Sequence, residues 1–191
     1  MKMSNKKKPG LLQPLEIPDR TWQNVHYDFI TGLLLTKDGN EVIFTMVDSL
    51  SKMAHFKACK SSVTSKEAAL LFINDVYRLH GMPEVVTLDR DPKFTSEFYT
   101  ELFDRLKIKR QVTTAYHPES NGQAEIVNKA ISKMLRAFAE GLKNDWDTYL
   151  GLLEFAYNSA KNVSTGLSPF YIIYGKEPQK MIDLAIDAGS F

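Results

Sequence analysis

Two aspartates in this sequence sit where a carboxylate is costly to fold. Asp28 interrupts the apolar run Val25-His26-Tyr27-Asp28-Phe29-Ile30, and Asp89 directly follows Val85-Val86-Thr87-Leu88. An unpaired buried carboxylate is strongly disfavoured, so each acid needs a cation or a proton. Metal-assisted phosphoryl transfer is one chemistry that uses acids so placed. Mg²⁺ prefers carboxylate oxygens and keeps several waters. Two such ions roughly 4 Å apart can activate an attacking oxygen and stabilise a leaving one. Taken singly, either aspartate reads more readily as a strand-end cap or a salt-bridge partner.

A third acid, Glu125, opens a long periodic segment. At 100° per residue Val127, Ile131, Met134, Leu135, Phe138 and Leu142 fall on one arc, the stripe of a helix packed on a core. Glu125, Asn128, Lys129, Ser132, Lys133 and Arg136 fall on the other side. Such a charged face is ordinarily a solvated one. Here the acid lies in the first turn, after a loop whose Ser120 and Gln123 resemble a capping box, so it can project from the helix N-terminus toward a sheet. The cations further along would then track a phosphodiester backbone.

The elements that must position these acids read as a mixed α/β domain. Val25, Tyr27, Phe29 and Ile30 lead into Leu33–Leu35 as one buried strand. Lys37-Asp38-Gly39-Asn40 is a tight hairpin turn, because Asp-Gly tolerates positive φ. Glu41–Val47 returns as a second strand and Met53–Cys59 as a third, an antiparallel meander. Thr64 and Glu67 fit a capping box, and Ala68, Leu71, Phe72, Val76 and Leu79 repeat at helical spacing until His80-Gly81 and Pro83. Glu84–Leu88 is a short strand, Thr95 to Leu106 a helix, and Ile108–Thr113 a strand. Tyr116-His117-Pro118 and Asn121-Gly122 mark a loop, followed by helices over about 121–142 and 145–159. This order predicts a mixed sheet flanked by helices.

Composition bounds the rest. At 191 residues, 43% hydrophobic and 25% charged, the chain suits one globular domain and neither wholesale disorder nor a fibrous repeat. No apolar run approaches the ~18 residues of a bilayer span, and MKMSNKKKPG lacks the apolar stretch of a signal peptide. Cys59 stands alone, which excludes an internal disulfide and a cysteine-built zinc site and points to a reducing intracellular setting. The net charge is +1, but Lys2, Lys6, Lys7 and Lys8 leave residues 9–191 at −3, so polyanion binding must use local patches. Residues 1–20, with Pro9, Pro14 and Pro18, read as an extended arm or linker.

Asp28 in YDFITG, Asp89 in LDRDPKF and Glu125 in HPESNGQAEIVN resemble the Asp, Asp, Glu triad of retroviral-type integrases, with that family's thirty-five residues between the last two acids. The segments VDSLSKMAHF, HGMPEVVTLDRDPKFTSEFY, TTAYHPESNGQAEIVN and EFAYNSAKNVSTGLSPFYIIYG, together with W-x-x-V-x-Y-D-F-I, are similar to the integrase core of gypsy-type LTR retrotransposons over about residues 20–178. The resemblance implies a ribonuclease H-like fold, a five-stranded mixed sheet with its first three strands antiparallel and helices on both faces. It implies a core over 21–178, between an arm at 1–20 and a tail at 179–191. It implies two-metal transesterification with Mg²⁺ or Mn²⁺, in which Asp28, Asp89 and Glu125 are catalytic and hold two ions. Water first exposes a 3′-hydroxyl at the element's DNA ends, and that hydroxyl then attacks target DNA.

By the same resemblance Asn128 and Lys129 would position the phosphate, Lys133, Gln123 and Tyr116 would touch DNA, and His117, Pro118, Asn121 and Gly122 would form a mobile catalytic loop, in which His117 reads as structural. Asp48 and Asp91 read as local caps or ion pairs, and Trp22, Trp146, Tyr157 and Phe170 as core or partner-surface aromatics. The family usually has Ser at Leu88, Arg at Ile126, Thr at Ala124 and Arg at Ser49. Losing the arginine beside Glu125 removes one screened phosphate contact, about 1 kcal/mol. None of these departures removes a metal ligand.

Family members also carry an N-terminal zinc domain and a C-terminal DNA- or chromatin-binding domain, neither of which is expected within these residues, so the chain reads as a core fragment, an excised piece or a degenerate element copy. Its partners would be element-end DNA, target DNA and further copies of itself, with no membrane. A two-fold pair would bury the region of residues 145–159 and 167–174. The working compartment would be the nucleus, reached from a cytoplasmic particle. The competing reading is a domesticated or decayed integrase-like module that binds DNA or assembles without catalysis. A stand-alone ribonuclease H fits less well, because a fourth carboxylate is not evident.

Overall fold

The computed structural model describes residues 17–88, 96–112, 129–130, 133 and 144–180. Five strands, β1 (Asn24–Ile30), β2 (Val42–Asp48), β3 (Ala54–Cys59), β4 (Val85–Leu88) and β5 (Lys109–Val112), form one sheet in the order β3-β2-β1-β4-β5. β1 to β3 are an antiparallel meander, whereas β4 and β5 run parallel to β1. Parallel neighbours need a crossover, and helices supply both. The first is α1 (Ser65–Phe72), continued by a π-helical turn (Ile73–Tyr77) and α2 (Arg78–His80); the second is α3 (Glu97–Arg105). After a 3₁₀ turn (Trp146–Tyr149) come α4 (Leu150–Ser159) and α5 (Pro169–Tyr174).

The period-two alternation of the strands divides the core in two. Val25, Tyr27 and Phe29 of β1 with Phe44 and Met46 of β2 face a cluster closed by Phe72, Val76, Tyr99 and Phe103 from the crossover helices. Ile30, Ile43, Val47 and Phe56 face the opposite cluster, closed by Trp146, Leu150, Leu153 and Tyr157. Helices therefore cover both faces of the sheet, as the resemblance implied. Fully burying a side chain such as Phe72 contributes about 2–3 kcal/mol.

Several local expectations hold. Thr64 and Glu67 form the capping box of α1 in both directions. Gly39 does turn the chain, at φ +82° with its N–H on Thr36 O at 3.0 Å, although this turn lies within the long connection 31–41 and does not join paired strands directly as a tight hairpin would. Trp22, Trp146 and Tyr157 are buried, and Phe170 packs against the first cluster.

Three expectations are corrected. The first strand stops at Ile30, and Leu34 and Leu35 are exposed, because Gly32 (φ +77°) turns the chain out of the sheet. Leu79 is also exposed: the π-helical turn inserts extra residues and rotates it off the face that buries Ala68, Phe72 and Val76. The helix expected from Asp145 begins as a 3₁₀ turn at Trp146 and becomes α-helical at Leu150. The loop from Tyr116 to Gly122 lies outside the described residues, as does most of the 121–142 helix, of which Lys129, Ala130 and Lys133 are helical.

Candidate active site

Asp28 sits on the central strand. Tyr27 and Phe29 pack their rings against Phe44 at centroid distances of 5.4 and 4.9 Å, which fixes the phase of β1. Alternation then assigns His26, Asp28 and Ile30 to the opposite face, the one covered by α4. Asp28 is half-buried, and its Oδ1 accepts the Phe29 N–H at 2.7 Å. Thr45, its register partner on β2, donates its hydroxyl to the Asp28 carbonyl at 3.1 Å, tying the main chain under the acid to the neighbouring strand.

On the other side of β1 the parallel register with β4 runs from Asn24↔Val85 to Tyr27↔Leu88. It ends one residue short of Asp28 on β1, and the residue that follows Leu88 in the sequence is Asp89. Asp89, Glu125, Asn128, Gln123, Tyr116, His117, Pro118, Asn121 and Gly122 lie outside the described residues, as does Asp91. Lys129 and Lys133 are described; both are helical and exposed, one turn apart, while Ala130 packs against the α4-side cluster. Their helix therefore lies over the same face of the sheet as Asp28, with the two lysines turned outward. Among the described residues no three His, Cys, Asp or Glu side chains converge as a metal site.

The start of β1, two to three residues before Asp28, is set by a buried histidine and the β2–β3 turn. His26 is buried two residues before it; burial, and then the charge of Lys52, lower its pKa to about 4, so the ring is neutral near pH 7. Lys52 is itself lowered by burial, against the opposing pull of Asp48, and its Nζ donates to Ser49 O at 2.5 Å. Asp48 has no exposed surface. It accepts from Trp22 N at 2.9 Å, Leu50 N at 3.3 Å, Ser51 N at 2.9 Å and the Ser51 hydroxyl at 2.5 Å. This carboxylate caps the β2–β3 turn, as its position at the strand end suggested.

A second polar constellation escaped the sequence reading. Trp22, from the segment before β1, meets His55 of β3, His80 of α2 and Glu154 of α4, His55 and Glu154 being 99 residues apart. No local spacing signals such a meeting; His80 read only as a helix stop.

Comparison with known proteins puts this geometry in context. No protein-family model matches the chain. The Tf2-3 and Tf2-4 transposon polyproteins of Schizosaccharomyces pombe are each 31% identical to it over 177 residues, 93% of its length. The chain is homologous to a segment of these Tf2 polyproteins. It spans 13% of their length. Among solved structures, the simian T-cell lymphotropic virus intasome in complex with PP2A regulatory subunit B56 gamma superposes with a TM-score of 0.70 at 17% identity, over 93% of this chain and 63% of that one. The magnesium complex of the HTLV-2 integrase catalytic core in its trimeric form matches with a TM-score of 0.62 at 18% identity, over 79% of this chain and 95% of that one. The catalytic core of BIV integrase gives 0.62 at 18% identity, over 88% and 98%. The fold is the ribonuclease H-like fold of integrase catalytic cores. In that fold β1 is the central strand, and it is the strand that bears Asp28.

Proposed function

We propose that this chain is the catalytic core of a gypsy-type LTR retrotransposon integrase, joining element DNA to target DNA by metal-dependent polynucleotidyl transfer. The observation that carries the reading is the β1–β4 register. It stops at Tyr27↔Leu88, so that one further step in the same parallel register would set Asp28 beside Asp89. Two carboxylates on adjacent strands repel unless a cation lies with them. The resemblance of HPESNGQAEIVN to the integrase motif is what extends the proposed site to Glu125.

The donor set suits a hard divalent cation such as Mg²⁺ or Mn²⁺: three carboxylates and no thiolate. Asp28, Asp89 and Glu125 would hold the ions. When bound, such ions activate the attacking oxygen and stabilise the leaving one. The chain's own residues then have separable tasks. Thr45 and the Tyr27–Phe44–Phe29 ring cluster keep the Asp28 backbone in place. Lys129 and Lys133, on the outer face of their helix, would bind successive backbone phosphates, and Asn128 would orient the reacting one. His117 has no proton-transfer role in this reading.

Residues 21–178 would form the core, with 1–20 and 179–191 as linker and tail. Exposed Tyr149, Leu152, Leu167, Tyr171 and Tyr174 on the α4–α5 side would face a second copy. The site of action would be the nucleus.

The deciding experiment is disintegration of a branched DNA with Mn²⁺, comparing wild type with Glu125→Gln. Metal-dependent strand release by wild type, reduced to metal-free background in the variant, supports the reading. Equal release by both proteins rejects it, and DNA binding without any release favours a module that has lost catalysis.

A further inference from the structure

Outside the candidate site, one polar chain links three elements through hydrogen bonds. His55 on β3 places Nδ1 2.9 Å from Glu154 Oε1 on α4 and Nε2 2.8 Å from His80 Nε2 at the end of α2. The other Glu154 oxygen accepts the Phe56 N–H at 2.9 Å. The His80 ring stacks on Trp22 with centroids 3.8 Å apart and planes 4° from parallel; the His55 ring stacks on the same indole at 5.2 Å. Trp22 lies just before β1, and its backbone N–H donates to Asp48 Oδ1. His80 leads through Gly81 and Pro83 into β4. The group therefore joins the starts of the two central parallel strands to the β3 edge and to α4.

The distances restrict the proton count. Glu154, already accepting from Phe56, requires a hydrogen on His55 Nδ1. Between two Nε2 atoms 2.8 Å apart there is room for one hydrogen, donated by either ring. One added proton is tolerated, because Glu154 balances the charge and a single bridging hydrogen remains. A second added proton puts hydrogens on both facing nitrogens and leaves two imidazolium rings against one carboxylate.

We propose that Glu154, His55 and His80 form a proton-counting clamp that holds Trp22, and with it the start of β1, against β3 and the approach to β4, and that releases when both imidazoles are doubly protonated. The charged groups around it agree. Glu154 is the carboxylate facing the pair from α4, and the nearby Lys57–Asp75 pair at 2.9 Å, joining β3 to the π-helical turn, is internally neutral. Burial, and then the charge of His55, lower the His80 pKa to about 4. An unfolded His80 takes up its proton near 6.5, so the folded state loses stability as pH falls through the window from 6.5 to about 4. The clamp is independent of any metal bound at Asp28.

The test uses the full chain with Trp146→Phe, which leaves Trp22 as the one tryptophan of the two in the sequence. Its emission should change in a step centred near pH 4, where the folded His80 takes up its proton, while helical circular dichroism persists. His80→Phe keeps a ring on Trp22 but takes no proton, so the step should vanish. The fall in melting midpoint from pH 7 to pH 5 should be smaller in that variant by about 3 °C. An identical step in both proteins, or no step in either, overturns the clamp. If Trp146→Phe does not fold, imidazole nitrogen NMR on the unaltered chain decides: His80 still neutral at pH 5 supports the clamp, and His80 titrating near 6.5 refutes it.

Discussion

Asn158 on α4 closes both hydrogen-bonding groups of Ala54 on β3: its Oδ1 accepts the Ala54 N–H at 2.9 Å and its Nδ2 donates to the Ala54 carbonyl at 2.8 Å. One turn earlier Glu154 takes the Phe56 N–H. β3 is an edge strand, and an edge presents unpaired backbone groups that invite another chain. Two side chains four residues apart on α4 thus stand in for a sixth strand.

Removing that substitute is expected to be expensive. Asn158→Ala leaves a buried N–H and a buried C=O without partners, a loss of about 2–3 kcal/mol. Urea unfolding should show a lower midpoint with an unchanged slope. A variant as stable as wild type would mean that water replaces the amide freely.

Asp48 separates a structural carboxylate from the proposed catalytic ones. Asp48→Ala strands donors from Trp22, Leu50 and Ser51 and should lower stability by about 3 kcal/mol, measured by denaturant titration. The folded fraction should bind Mn²⁺ as wild type does. Loss of metal binding with stability intact would reassign Asp48 to the site.

His26 makes a pH prediction with a definite sign. Its folded pKa of about 4 lies below the unfolded value near 6.5, so the unfolded chain gains a proton first as pH falls. Stability should drop by about 1.4 kcal/mol per pH unit across that window, roughly 3 kcal/mol in all, in addition to any loss through His80. His26→Leu should flatten this part of the stability–pH curve. An unchanged slope in that variant contradicts neutral burial of the ring.

The π-helical turn makes a packing prediction. Val76, fully buried, should cost about 2 kcal/mol as Ala, whereas Leu79, half exposed, should tolerate Lys within about 0.5 kcal/mol by thermal melting. The reverse ranking would restore an unbroken α-helix there.

These cases also mark what a reader of the sequence can and cannot extract. Tyr27, Phe29 and Phe44 announce their strands because alternation is local, and Thr64 with Glu67 announces a helix start because a capping box spans one turn. Asp28 stands out for the same reason, as a charge within an apolar run. The exposure of Leu79 was hidden because the π-helical turn leaves no mark in residue type. The chain Glu154–His55–His80 was hidden because its members meet only through tertiary packing. The exposed Leu34 and Leu35 misled because an apolar run alone does not say where Gly32 turns the chain out of the sheet.

Anomalous diffraction from crystals soaked in Mn²⁺, with wild type and Asp28→Asn treated alike, bears most directly on the proposed site. Manganese is expected between the carboxylates of Asp28, Asp89 and Glu125 in wild type, and is expected to be lost in the variant with the sheet unchanged. Manganese absent from those acids at saturating concentration, or bound equally well without the Asp28 carboxylate, would contradict the proposed site.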